Sequence, residues 1–264
     1  LAGILTDKPV SDFHVLLVND DGIDAEGFSV LEEFARQKFG EVFVAAPVHE
    51  HSAKARSITH HRSFDVEKRG ENRYAVDGTP TDCIIFGLHH LFEGGKPDLV
   101  LSGVNHGENV GHAITYSGTF GAAFEAGLHN VPAISFSQLL NSKENPDFSI
   151  ARENLGMACD EIFSKDWPSH TVMNVNFPTY LHSQVARCHW VPVEQQSIIE
   201  RIKVDHDDST KMRVQTQFRR DYSPHSNEHV TDDLDVLRRG GIAVTPVMTN
   251  WTCHTSLKKM MGVE

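Results

Sequence analysis

Positive charge is what this chain has least of. It carries 24 Lys and Arg against 36 Asp and Glu in 264 residues, a formal net charge of −12 with His neutral. Nucleic acid is held by clustered Lys and Arg that neutralise phosphates, so a stable DNA or RNA partner is not expected. A small anionic substrate would need positive charge supplied locally, and a bound metal ion is the obvious source. Long apolar runs are missing as well. Nothing approaches the roughly 20 residues that span a bilayer, and the mean hydropathy is −0.32, so no membrane partner is expected. Cysteine is scarce: Cys83, Cys159, Cys188 and Cys253 lie far apart with no CxxC pair. That spacing fits reduced thiols in a cytoplasmic protein better than a disulfide framework. Residues 1–11 have neither the basic start nor the apolar centre of a secretory signal. There is no GxSxG elbow, no GxxxxGK[ST] loop and no GxGxxG fingerprint, which argues against an elbow-type serine hydrolase, a P-loop nucleotidase and a dinucleotide-binding turn. Internal repeats, low-complexity tracts and heptad seams are absent too.

What is present is an alternation of strand and helix signals in one domain-sized chain with 39% hydrophobic residues. Residues 13–18 form a short apolar run that ends in Asn19-Asp20-Asp21-Gly22, a turn signal, so the run reads as a buried strand entering a loop. Phe28, Leu31, Phe34 and Ala35 fall on one helical stripe that Gly40 stops. Residues 41–46 are a second strand, ended by Pro47. Strand, loop, helix and strand in that order predict a right-handed βαβ unit in a parallel sheet. Thr79-Pro80-Thr81-Asp82 opens a helix with a capping-box pattern. Residues 98–103 are a third buried strand, followed by a glycine-rich loop from 104 to 118 and a small-residue helix over 119–129. Strands are expected at 131–136, 171–176, 185–193 and 241–247, with helices at 148–163 and in the tail 251–261. Val15, Leu17, Val42, Val44, Leu99 and Leu101 are the expected core. The stretch 195–240 is polar with poor periodicity and reads as an exposed excursion or hairpin arm. The division expected is an N-terminal extension 1–12, an α/β core 13–194, the arm 195–240, and a strand and tail 241–264 that return to the core.

In parallel α/β sheets the ligand sits at the carboxyl ends of the strands. Three polar clusters fall there: Asn19-Asp20-Asp21-Gly22, His51-Ser52, and Ser102-Gly103-Val104-Asn105-His106-Gly107. Adjacent carboxylates leaving a buried strand repel unless a cation sits between them or both face water. Oxygen donors from Asp, Asn and Ser suit a hard divalent ion such as Mg²⁺ or Mn²⁺. The glycine-rich loop around Gly107 can turn backbone N–H groups toward an anion. The helix that begins near Gly118 adds its N-terminal dipole and the hydroxyls of Ser117 and Thr119. Of the 17 histidines, His60-His61 and His89-His90 are adjacent pairs without chelating geometry, and the latter pair sits late in a predicted helix where the dipole explains it. His106 is inside the candidate loop, where it could protonate a leaving group or contact phosphate.

Taken in order, these motifs resemble the SurE family of metal-dependent nucleoside monophosphate phosphatases. Val18-Asn19-Asp20-Asp21-Gly22 is similar to the family's opening motif, and Ala45-Ala46-Pro47 with Ser52 to its second loop. Gly78-Thr79-Pro80-Thr81-Asp82-Cys83 resembles GTPTDC. Ser102 to Gly111 resembles SGIN-x-G-x-N-x-G, and Tyr116-Ser117-Gly118-Thr119 resembles YSGT. Thr231-Asp232 and Val244-Thr245-Pro246 resemble the family's late TD and TPL. The resemblance implies a Rossmann-like three-layer core with a mostly parallel sheet, a protruding arm and a C-terminal assembly element, and homodimers or homotetramers. It also implies one divalent ion per subunit held by Asp20, Asp21, Ser52 and Asn105. The reaction implied is hydrolysis of nucleoside 5′- or 3′-monophosphates, with Asp20, Asp21 and Asn105 catalytic. Asn19, His106, Gly107, Ser117, Gly118 and Thr119 are the expected substrate contacts. Asp20 could orient the attacking water or act as nucleophile; both routes stay open. Three positions depart from the family: Ala53 stands where a glycine usually follows the serine, and His106 and Glu108 replace a small residue and a proline. Two other classes remain as alternatives: a metal and nucleotide binder with little turnover, and a nucleoside hydrolase.

Overall fold

The computed structural model describes residues 8–92, 95–142, 144–183, 185–195, 199–206, 211–218 and 230–262. Residues 1–7 of the expected N-terminal extension, and parts of the expected arm, lie outside the described residues.

The chain begins with β1 (His14–Val18), α1 (Glu26–Lys38) and β2 (Glu41–Pro47), the predicted βαβ unit. A hairpin of β3 (Val66–Gly70) and β4 (Arg73–Val76) follows, which the sequence pattern did not announce. Its first strand is exposed throughout and reads VEKRG, without alternation. Then come α2 (Pro80–Phe86), β5 (Leu99–His106), α3 (Gly118–Leu128), β6 (Ala133–Gln138), α4 (Ser149–Phe163) and β7 (Thr171–Phe177). The last part holds β8 (Cys188–Trp190), β9 (Ile199–His206), β10 (Met212–Phe218), α5 (Asp233–Arg238), β11 (Ile242–Met248) and α6 (His254–Met260).

Nine strands form one sheet in the order β3-β4-β2-β1-β5-β6-β7-β11-β8. It is mostly parallel; β3 against β4 and β11 against β7 are the antiparallel pairs. Helices cover both faces, and the residues of β1 show why. Val15 and Leu17 belong to a core shared with α1 and α4, while Leu16 and Val18 belong to a second core shared with α2 and α3. A strand buried on both faces reads as an unbroken apolar run, which is how HVLLV appears. The chain therefore folds as a three-layer α/β sandwich of Rossmann-like type, as expected.

Several boundaries differ from those expected. β5 continues through Val104-Asn105-His106, so these residues end a strand and do not start the glycine loop. The strand expected at 185–193 shrinks to the three residues of β8 at the sheet edge. His89 and His90 lie in a wide-turn helical segment, Gly87–Leu91, that extends α2. The arm is an antiparallel pair, β9 with β10, set apart from the main sheet. Helix α5, which lies within the range 195–240, is buried at every position.

Chain order fixes where a ligand can sit. From β1 the chain steps to one side to reach β2, and β5 pairs on the other side of β1. The loops after β1 and β5 thus diverge at a topological switch point, the crevice where open α/β sheets bind ligands.

Candidate active site

Asp20 lies two residues beyond the end of β1 and is almost completely buried, at 3% exposure. Its Oδ1 accepts the hydroxyl of Thr119, the second residue of α3. The same hydroxyl oxygen lies 3.1 Å from Asn105 Oδ1. Asn105 is oriented by its own amide nitrogen, which donates to Gly107 O at 2.8 Å. Two side-chain oxygens, of Asp20 and Asn105, therefore converge on the one Thr119 hydroxyl. Burial, and then the neighbouring Asp21 charge, push the Asp20 carboxyl up to about 7, against the pull of hydrogen bonds from Thr119 and from its own amide. Asp21 turns the other way and accepts the backbone N–H of His106 at 3.0 Å. This bond ties the loop after β1 to the end of β5.

Asn19 donates to Gly22 O at 2.7 Å and so shapes the turn. Its Oδ1 is buried without a hydrogen-bond partner. An unsatisfied buried acceptor costs about 1–3 kcal/mol. The donor chemistry fits a hard divalent ion: carboxylate, amide and hydroxyl oxygens gathered at the carboxyl edge of the sheet. No three His, Cys, Asp or Glu side chains gather as metal ligands among the described residues, so any ion here would need the Asn and hydroxyl oxygens as well as the carboxylates.

Ser52 approaches from β2. The backbone of its loop is pinned beside Asp20, because His51 N–H donates to Asp20 O at 2.7 Å. The Ser52 side chain is exposed and its hydroxyl faces Glu50 Oε1 at 2.5 Å. The far side of the loop is anchored by Asp82. Its carboxylate accepts Thr59 N–H at 2.9 Å, Thr59 hydroxyl at 2.7 Å and Thr79 N–H at 2.8 Å. The capping box read from Thr79 and Asp82 is present, and it holds the serine loop as well as starting α2.

Ala53 adopts φ +56°. A side chain in this left-handed region costs roughly 1–2 kcal/mol, at the position where the resemblance implies a glycine. Glycine removes that strain but loses more chain entropy on folding, about 0.5–1 kcal/mol. Ala53→Gly is therefore expected to raise the thermal midpoint by about 1–3 °C, read by a calorimetric melt in chelator. A lowered midpoint would contradict the strain.

The remaining candidate residues divide by role. Ser117 caps α3, accepting Phe120 N–H at 3.0 Å. Gly118 is the first residue of α3 and presses on Asp20: a Cβ there would stand 2.7 Å from both Cβ and Oδ2 of Asp20. Gly107 N–H is already engaged, donating to Gln138 O at 3.0 Å and Asn105 O at 3.1 Å. Its α-carbon faces open space. The His106 ring packs on Phe148, with centroids 5.1 Å apart.

The sequence reading did not single out a buried polar ladder below the loop. Asn109 N–H donates to Asn176 Oδ1 at 2.8 Å, and its side chain to Ser137 Oγ at 2.9 Å. Its carbonyl accepts from Asn174 at 2.8 Å and Asn176 at 3.1 Å. The signal available was the pair of asparagines inside the strand run TVMNVNF, where apolar residues are the norm for a sheet covered on both faces.

Comparison with known proteins places the chain in a family. The family model described as "Survival protein SurE" matches residues 15–200. A protein of Paramagnetospirillum magneticum named 5′-nucleotidase SurE is 35% identical over 259 residues, covering 97% of this chain and 98% of its own. One of Geotalea daltonii with the same name is 37% identical, over 93% and 98%. The crystal structure of the SurE protein from Aquifex aeolicus superposes with a TM-score of 0.80 at 30% identity, over 94% of this chain and 99% of that one. With family match, sequence relatives and backbone in accord, this chain belongs to the SurE family.

Proposed function

We propose that the chain is a metal-dependent phosphomonoesterase that hydrolyses nucleoside 5′- or 3′-monophosphates to nucleoside and phosphate. The observation that carries this reading is the oxygen cradle at the switch point, where the Asp20 and Asn105 side-chain oxygens converge on the Thr119 hydroxyl. Relatives that match almost end to end are named 5′-nucleotidase. Asp20, Asp21 and Asn105 would hold a single Mg²⁺ or Mn²⁺, with Ser52 joining them by turning away from Glu50. The ion supplies Lewis acidity and the positive charge that this acidic chain lacks.

The chain's own residues do the rest. Thr119 fixes the Asp20 carboxylate, leaving Asp20 placed to orient the attacking water. The start of α3 would offer the Gly118 N–H and the Ser117 hydroxyl to phosphate oxygens, where donors in a site shielded from water are most effective. The open face at Gly107 leaves room for the substrate.

The arm supports assembly into a homodimer or homotetramer. Ile202, Val204, Met212 and Val214 share one face of the β9–β10 pair and are all exposed. A lone two-stranded ribbon is marginal in water, and such a face is normally covered. No helix among the described residues is long and apolar enough to cross a membrane, and all four cysteines are free thiols, which supports a cytoplasmic setting.

Phosphate release from a panel of nucleoside 5′- and 3′-monophosphates, with Mn²⁺, Mg²⁺ or excess chelator, tests the reading. Release with metal and none with chelator is expected. Folded protein that binds nucleotide with metal and releases nothing would favour a binding role. Free base without phosphate would favour a nucleoside hydrolase.

A further inference from the structure

Asp233 is fully buried and takes no part in the site described above. Its carboxylate accepts three backbone N–H groups: Gly111 and Glu194 at 3.0 Å each, and Leu234 at 2.9 Å. Its own N–H donates to Pro192 O at 3.1 Å. One residue thus grips the segment 192–194 at two points and the loop after β5 at a third. Helix α5 does not require this carboxylate for its start, because Asp232 already caps it by accepting Asp235 N–H at 2.9 Å. Burial pushes the Asp233 carboxyl up to about 6, against the three N–H donors that pull it down. A carboxylate kept out of water at such a cost is held in place by what it joins.

What it joins is the site loop and the root of the arm. Gly111 lies in the loop that leaves Asn105 and returns at Ser117 and Thr119. Its φ is +54°, and a Cβ there would stand 2.8 Å from Glu194 Oε2 and 3.2 Å from Glu194 O. The loop backbone therefore rests directly on the residue from which the chain departs toward β9. Asn109 is fixed by the asparagine ladder, and Ser117 by its cap on α3. Between those two anchors, the Gly111–Asp233 bond sets the start of the single 3₁₀ turn, Gly111–Thr115, that delivers Ser117.

We propose that Asp233 is a positioning residue of the phosphatase site: by taking the Gly111 and Glu194 amides on one carboxylate, it sets the loop between Asn105 and Thr119 from the base of the arm. Asp233 touches neither phosphate nor ion, and the proposal rests on the phosphatase reading. Asn at this position offers one oxygen, so either the Gly111 or the Glu194 amide must then face an NH₂ group.

The test compares the full-length protein with Asp233→Ala and Asp233→Asn. Hydrogen exchange is followed over residues 105–117, Mn²⁺ affinity by electron paramagnetic resonance, and kcat and KM with a nucleoside monophosphate. In Asp233→Ala, loop amides are expected to exchange about ten-fold faster while those of β1 and β6 keep their protection. Mn²⁺ affinity and kcat each fall about 10–100-fold, with KM nearly unchanged, as for other residues that orient a metal shell. Asp233→Asn falls between the two. A folded Asp233→Ala protein that melts earlier but keeps wild-type loop exchange, Mn²⁺ affinity and kcat overturns the proposal. Should the alanine variant fail to fold, wild-type values of the same three quantities in Asp233→Asn overturn it. Failure of the phosphatase reading is distinguishable: the wild-type protein itself then releases no phosphate, and loop exchange still decides whether Asp233 holds the loop.

Discussion

Asp20→Asn is expected to lower metal-dependent phosphate release by about 10³-fold while leaving the protein folded. The substitution barely changes shape. Asparagine Oδ1 can still take the Thr119 hydroxyl that Asp20 accepts now, so the contact between β1 and α3 survives. What disappears is one of two adjacent negative charges, on a side chain buried to 3% exposure. Without a cation those charges oppose each other, and burial sharpens the repulsion. A chelator-treated variant should therefore melt no earlier than the wild type. With the ion present the order reverses, because the cation loses its most enclosed ligand. Phosphate release and thermal melts, each with Mn²⁺ and with chelator, read both effects. Activity within ten-fold of wild type would remove Asp20 from the mechanism. Early melting in chelator would mean that the carboxylate is structural.

Much of this site was legible because its signals are local. Asn19-Asp20-Asp21-Gly22 follows an apolar run, and a buried strand that ends in paired carboxylates puts them at the sheet's carboxyl edge. The capping box at Thr79 and Asp82 spans four residues and needs no tertiary information to be read. Parallel order follows from the strand–helix alternation, and the nine-stranded sheet bears it out.

The parts that stayed hidden depend on partners far along the chain. Asp232-Asp233 in a polar, aperiodic stretch reads as solvated surface, yet all six residues of α5 are buried. The amides that Asp233 receives come from Gly111 and Glu194, 122 and 39 residues away, and no spacing rule links them. Asn174 and Asn176 interrupt a strand at alternate positions, which resembles a half-exposed face. Both are fully buried, because the Asn109 backbone satisfies them. The β3–β4 hairpin escaped for the opposite reason: an edge strand exposed along its length has no apolar pattern to detect.

Gly118→Ala separates two readings of the α3 start, because they predict opposite signs. By helix propensity alone, alanine is better than glycine, by up to about 1 kcal/mol in a helix interior and by less at this first position, so the variant should gain stability. By space, the added Cβ stands 2.7 Å from Asp20 Cβ and Oδ2, a separation that side-chain carbons do not tolerate. Neither neighbour can yield freely: Asp20 is gripped by Thr119 and lies against the His51 amide, while α3 packs its buried face on β5 and β6. Overpacking of this kind costs roughly 1–3 kcal/mol, and displacing a catalytic carboxylate by about 1 Å can cost about 10²-fold in rate. The expected result is an earlier melt and a fall in kcat of about 10²-fold. Gly156→Ala supplies the comparison within the same protein. It lies inside α4, and its added Cβ would meet Phe34 Cε2 at 3.7 Å, an ordinary contact. That variant should gain up to about 1 kcal/mol and keep full activity. If both glycine variants were stabilised and active, the close approach of Asp20 to α3 would not be a working feature of the site. If only Gly118→Ala fails, the distance between a carboxylate and a helix end is what the glycine at this position preserves.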